Sequence, residues 1–139
     1  MLLVDVDHFK NINDTHGHDF GDIVLKAIAA CVSETPGGRG QVFRLGGEEF
    51  VALVPGASSR DGLKLAEAIR QAVAGLSIDA GSQSVRVTVS IGIADNGDGQ
   101  EKPHVVSAAD AALYLAKAGG RNRSVLSGDV SGAQVCRSA

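Results

Sequence analysis

Gln41-Val42-Phe43-Arg44-Leu45-Gly46-Gly47-Glu48-Glu49-Phe50-Val51-Ala52-Leu53-Val54 decides how this chain folds. Two short β-prone runs, Gln41–Leu45 and Phe50–Val54, meet at a Gly-Gly corner, a pattern that predicts a β-hairpin. Two carboxylates, Glu48 and Glu49, follow the glycines directly. Adjacent acids at a tight turn repel each other and lose solvation when buried without a cation. Glycine lets a ligand come close to the backbone. A turn of this make-up suits a metal ion and a phosphorylated ligand.

A second acidic stretch stands near the start, where the apolar run Leu2-Leu3-Val4 ends in Asp5-Val6-Asp7. An acid at a strand end, facing an acid on a hairpin, suits Mg²⁺. That ion takes oxygen ligands, uses one or two carboxylates, and fills its shell with water and substrate phosphates. Each stretch by itself reads equally well as a solvated polar turn. Together they point to one site.

Composition bounds the function. The chain has 139 residues, 44% of them hydrophobic and 21% charged, enough for one domain with a buried core. Net charge is −3, which gives no electrostatic footprint for nucleic acid. An anionic ligand must therefore meet local cations, a metal or backbone N–H groups. No apolar run approaches the roughly 18 residues of a membrane span, and the first residues lack the pattern of a signal peptide. The expectation is a cytoplasmic domain with no membrane segment within this chain. Cys31 and Cys136 lie far apart, and neither they nor His8, His16, His18 and His104 show metal-ligand spacing. Cys31 reads as a core filler.

Along the chain, Leu2–Asp5 reads as a strand buried on both faces. Asp7 to Asn13 reads as a short helix with Asp7 as its N-cap. A longer helix is expected over Asp19–Ser33, with Phe20, Ile23, Val24, Ala27, Ile28 and Cys31 on one face. The loop Thr35–Gly40 leads into the hairpin. Ser58 or Ser59 caps a helix to Gly75, whose apolar stripe is Leu63, Ala66, Ile69, Val73 and Leu76. A turn at Ala80-Gly81-Ser82 precedes a strand over Val85–Ala94. A helix runs from Pro103 to Ala118, and Ser124-Val125-Leu126 makes a last short strand. This order predicts an α/β (α+β) domain with a mainly antiparallel central sheet flanked by helices.

Asp5-Val6-Asp7-His8-Phe9-Lys10-Asn11-Ile12-Asn13-Asp14, Gly17-His18, Gly21-Asp22 and Arg44-Leu45-Gly46-Gly47-Glu48-Glu49-Phe50 together resemble the GGDEF family of diguanylate cyclases. Val89-Ser90-Ile91-Gly92-Ile93-Ala94, Ala109–Tyr114 and Lys117-Ala118-Gly119-Gly120-Arg121-Asn122 extend the resemblance, which runs from Leu2 to about Val125. It implies a palm-like, ferredoxin-related nucleotidyl cyclase fold over residues 1–126, and the small polar residues from Ser127 read as a flexible tail over 127–139. The implied activity is bacterial second-messenger synthesis, the condensation of two GTP into cyclic di-GMP and pyrophosphate. A homodimer would carry it out, with Mg²⁺, or alternatively Mn²⁺, as cofactor. Matched positions give Asp5, the Val6 carbonyl and Glu48 as metal ligands, and Glu48 and Glu49 as the catalytic acids. Asn13 and Asp22 match the guanine-recognition pair. Lys10, Lys117 and Arg121 match the phosphate-contacting cations, the turn at Phe9 adds backbone donors, and Gly46 and Gly47 let the nucleotide lie on the hairpin.

Two departures stand beside the match. The family's inhibitory Arg-x-x-Asp motif falls on Gly37 and Gly40, which carry neither side chain, so no inhibitory site is expected. Family domains usually begin with a helical segment, whereas here Met1 leads directly into the first strand, so the expectation is either a fragment or an uncovered apolar sheet face that pairs with another chain. The alternative function is accordingly a truncated, non-catalytic GGDEF module that binds GTP or a protein partner without turnover.

Overall fold

The computed structural model describes residues 1–34, 39–96 and 102–132. In chain order its elements are β1 (Leu2–Val6), α1 (Phe9–His16), α2 (His18–Glu34), β2 (Gln41–Gly46), β3 (Glu49–Leu53), α3 (Ser59–Gly75), β4 (Ile78–Asp79), β5 (Ser84–Val85), β6 (Val89–Ile93), α4 (Lys102–Ala118) and β7 (Ser124–Leu126). Five strands form one sheet in the order β2-β3-β1-β6-β7, and β4 pairs with β5 apart from it. β1 runs antiparallel to both neighbours, β2 and β3 form the expected hairpin, and only β6 and β7 are parallel. The mainly antiparallel sheet flanked by helices is as the sequence predicts.

β1 sits at the centre because all five of its residues are buried. Alternation along it splits the core in two. Leu2, Val4 and Val6 join Phe50, Ala52, Ile91 and Ile93 under α1, α2 and α3. Leu3 joins Val51, Val105, Ala109 and Leu113 under α4. Asp5 shares the parity of Leu3, so its carboxylate emerges on the α4 side. Full burial of each large aliphatic side chain contributes about 1.5–3 kcal/mol, which fixes the register and with it the place of Asp5.

Helix α4 lies close on β6 because Gly92 has no side chain. A Cβ there would stand 2.1 Å from the Ala109 carbonyl and 2.4 Å from the Leu113 amide.

Several details differ from the sequence reading. Asp7 is not an N-cap: α1 starts after His8, which adopts a left-handed φ of 56° and makes no side-chain cap. Ile23 is exposed, while Leu25 and Val32 on α2 are buried instead, because the helix meets both the sheet and α3. The predicted strand Val85–Ala94 is broken into β5 and β6, with β5 folded back on β4. Ser58 caps α3 as expected, its Oγ accepting from the Asp61 amide at 3.2 Å. Ser127–Gly132 forms a 3₁₀ helix. Cys136 and the rest of that tail lie outside the described residues. Phe43 and Leu45 on the edge strand β2, and Leu53 beside them, are exposed apolar side chains on the sheet.

Candidate active site

The site is built where the end of β1 meets the hairpin. The Val6 amide donates to the Glu48 carbonyl at 3.2 Å, and Asp5 stands opposite Glu49 in the β1–β3 register. Backbone pairing thus carries two acidic stretches, distant in sequence, into one place. The turn is made by Gly46 and Gly47, with φ of 147° and 53°, the second a left-handed value at which side-chain residues are strained. The Arg44 guanidinium closes the turn from below, donating through Nε and Nη2 to the Gly47 carbonyl at 3.0 and 2.7 Å. This function of Arg44 was not read from the sequence. Its only sequence signal is its place two residues before the glycines.

Asp5 is 5% exposed, and burial raises its carboxyl above the ordinary range. Lys117, near the end of α4, opposes that rise with a 2.8 Å ion pair to Asp5 Oδ2. The charge of Arg121 also favours the ionised form, while Asp7 works against it. Burial likewise raises Glu48, and the neighbouring Asp5 charge adds to the rise. The structure therefore brings together Asp5, Glu48, Glu49, Lys117 and Arg121.

Lys10 is not brought in: it stands exposed on α1, 3.8 Å from Asp14. The Phe9 side chain is in the core, so its backbone is what it can offer a ligand. The first amides of a helix lack intrahelical acceptors, which leaves this turn able to donate to an anion. Asn13 lies against Gly21, the residue before Asp22: a Cβ on Gly21 would come within 1.9 Å of Asn13 Oδ1. That Oδ1 is buried without a hydrogen-bond partner. Asp22 is exposed in the first turns of α2 and lines a cavity of about 310 Å³ with Leu25, Lys26, Arg44 and Phe50.

Asp7 takes a part the sequence did not reveal. Its carboxylate is 4% exposed and accepts from Ser90 Oγ at 2.7 Å, from Thr88 Oγ1 at 2.7 Å and from the Asn122 amide at 3.0 Å. A serine in the apolar run Val89–Ile93 was the available clue. Of the positions expected to lack inhibitory side chains, Gly40 precedes β2 and Gly37 lies outside the described residues.

Among the described residues no three Asp, Glu, His or Cys side chains converge as a ready-made metal cage. The donor set still fits Mg²⁺. Two carboxylates raised by burial and proximity want a cation, and this ion uses few protein ligands.

The model for the family described as "Diguanylate cyclase, GGDEF domain" matches residues 1–123. The chain is 41% identical over 128 residues to diguanylate cyclase A of Treponema denticola, covering 91% of this chain and 34% of that protein. It is 42% identical to the response regulator PleD of Caulobacter vibrioides, covering 87% of this chain and 27% of PleD. Against diguanylate cyclase DgcM of Escherichia coli the identity is 46%, over 88% of this chain and 29% of DgcM. The chain thus spans about a third or less of the length of these relatives.

Among solved structures, the GGDEF domain of DgcB from Caulobacter crescentus, in complex with c-di-GMP, superposes with a TM-score of 0.86 at 34% identity, covering 91% of this chain and 76% of that one. The diguanylate cyclase SiaD of Pseudomonas aeruginosa, solved with its activator SiaC, gives 0.85 at 38%, over 90% of this chain and 48% of that one. The chain belongs to the GGDEF family of diguanylate cyclase domains. No helix among the described residues is long and apolar enough to cross a membrane.

Proposed function

We propose that this domain is a diguanylate cyclase that condenses two GTP into cyclic di-GMP as a Mg²⁺-dependent homodimer. The observation that carries the reading is the buried Asp5 carboxylate at the end of β1, beside Glu48 and paired to Lys117. Asp5, Glu48 and the Val6 carbonyl would hold the Mg²⁺. When bound, it supplies a lower pKa for the attacking hydroxyl and a counter-charge for the phosphate. Lys117 and Arg121 would meet phosphate oxygens from the end of α4, a role their pairing and charge effect on Asp5 support. The backbone at Phe9 adds donors, and Lys10 would reach phosphate by giving up its exposed ion pair with Asp14.

Asn13 and Asp22 are assigned to guanine. Guanine presents N1–H and the N2 amino group side by side, and a carboxylate accepts from both. Adenine presents an acceptor at N1 and no amino group at C2, so Asp22 disfavours it. The unpartnered Asn13 Oδ1 supports an absent donor at this place. Gly46 and Gly47 leave the hairpin surface open to the nucleotide, with no atom within 4 Å of where a Cβ would be.

In the reaction each 3′-oxygen bonds to the α-phosphorus of the other GTP. The bond from that phosphorus to the β-phosphate bridge breaks, pyrophosphate leaves, and the hydroxyl proton passes to a base such as Glu49 or to solvent. One domain holds one GTP, so two domains must face each other, and positioning contributes more than acid–base chemistry. Incubation with GTP and Mg²⁺ should yield cyclic di-GMP and pyrophosphate, and Glu48→Gln should yield neither. GTP binding without product would support the non-catalytic module instead.

A further inference from the structure

Residues Gly120, Arg121 and Asn122 follow α4 with φ of 112°, 61° and 44°, three successive left-handed backbone positions. Only glycine adopts this region freely, asparagine tolerates it, and arginine does so at a cost. Such a turn persists only when its surroundings over-determine it. Four contacts do so here. The Arg121 amide donates to the Ala116 carbonyl at 3.0 Å, and Arg123 Nε donates to the Arg121 carbonyl at 3.2 Å. Arg70, itself paired to Glu67, donates through Nη1 to Asn122 Oδ1 at 3.0 Å. The Asn122 amide donates to the buried Asp7 carboxylate, 115 residues away in sequence.

Of these four contacts, the one from Asn122 to Asp7 ties the turn to the strand end that carries Asp5. Thr88 and Ser90 donate to the same carboxylate, so its orientation is fixed from β6 as well. We propose that Asp7 is a positioning residue: it clamps the Gly120-Arg121-Asn122 turn to the end of β1 and so holds the Arg121 guanidinium over the acidic site, where it meets the triphosphate. The inference rests on the GTP reading above for its ligand, and on the structure alone for the clamp.

Three measurements test it. Binding of a non-hydrolysable GTP analogue and of guanosine is compared in the parent, Asp7→Ala and Asp7→Asn. Loss of the clamp should weaken the analogue by about tenfold or more, the scale of one charge-assisted contact, and leave guanosine within about twofold. Asp7→Asn should restore most of the loss, because its amide oxygen still accepts from Asn122 and Thr88 while its NH₂ donates to Ser90 Oγ. In an Arg121→Ala background, Asp7→Ala should cost nothing further, since coupled residues are non-additive.

Equal weakening of guanosine and analogue, or additive losses with Arg121→Ala, would show a general structural role and overturn the proposal. If Asp7→Ala does not fold, Asp7→Ser carries the same comparison. Its hydroxyl is too short to reach the Asn122 amide but leaves a polar group, open to water, in the pocket beside Thr88 and Ser90. A parent that binds neither ligand would sink the GTP reading. Amide exchange at Asn122 then judges the clamp separately: it should be protected in the parent and fast in Asp7→Ala, and equal rates would overturn it.

Discussion

Burial raises the carboxyl groups of both Asp5 and Glu48, and for Glu48 the Asp5 charge adds to it. The sign of the consequence follows from linkage. A carboxyl whose folded pKa lies above its unfolded value binds more protons when folded. Stability of the metal-free domain should therefore fall as pH rises from the ordinary carboxylate range through the raised folded values, and level off above them. Urea denaturation from about pH 4 to about pH 7, across the usual carboxylate titration, should show this slope. Glu48→Gln should reduce it and leave stability at neutral pH within about 0.5 kcal/mol of the parent or slightly above, while abolishing turnover.

Asp22 belongs to the same scale. GTP should bind better than ATP, and Asp22→Ser should narrow the gap by about 1–3 kcal/mol, the worth of hydrogen bonds to a charged group. Equal parent affinities, read by calorimetry, would remove Asp22 from base recognition. Asp5 and Glu48 were legible as acids at a strand end and a hairpin turn, whereas Lys117 and Arg121 stood out only through the family resemblance, because a single basic residue reads more often as a solvated surface group. Asp7 was not. Its three donors come from positions 81 to 115 residues away, and local pattern offers only the cheaper reading of a helix cap.

At the scale of elements, hydrophobic spacing gave the helices and the hairpin, and tertiary contacts set the rest. Ile23 falls on the apolar face by periodicity yet faces solvent, because α2 turns Leu25 and Val32 inward instead. The break between β5 and β6 was hidden by a run of β-prone residues that satisfies two strands as well as one. Gly92 yields the element-scale prediction. Gly92→Ala would drive a Cβ into the α4 backbone, which has no side-chain end able to give way. The loss of stability should be about 3 kcal/mol or more, at the upper end of overpacking effects. Lys117 lies one further turn along α4 from Leu113, so nucleotide affinity should fall with it. Unchanged denaturation midpoint and affinity would mean that α4 can slide on β6.

At the scale of the whole molecule, one domain offers half of what the proposed condensation needs. Turnover per protomer should rise with protein concentration until dimers saturate. Regulation is expected to depart from a family in which an Arg-x-x-Asp motif supplies the inhibitory grip, because Gly37 and Gly40 stand at its positions. With the active site filled by a GTP analogue, cyclic di-GMP should bind weakly. Sub-micromolar binding that survives Arg39→Ala would place control on another surface. The sheet order itself was not readable from spacing; it follows from which strands are buried on both faces, and β1, buried throughout, is central.

That central place has a consequence for the birth of the chain. β1 leaves the ribosome before β3 and long before β6, yet it needs both as neighbours. The two ends of its last backbone pairing, Met1 and Ala94, lie 93 residues apart. At about 5–20 residues per second of synthesis, Leu2-Leu3-Val4 waits several seconds as an unpaired apolar strand. During that interval a holding chaperone, or the same strand of a neighbouring nascent chain, is the competitor for its edges. Folding yield in a cell should therefore depend on elongation rate and on crowding of translating ribosomes, and hardly at all on the final stability of the domain.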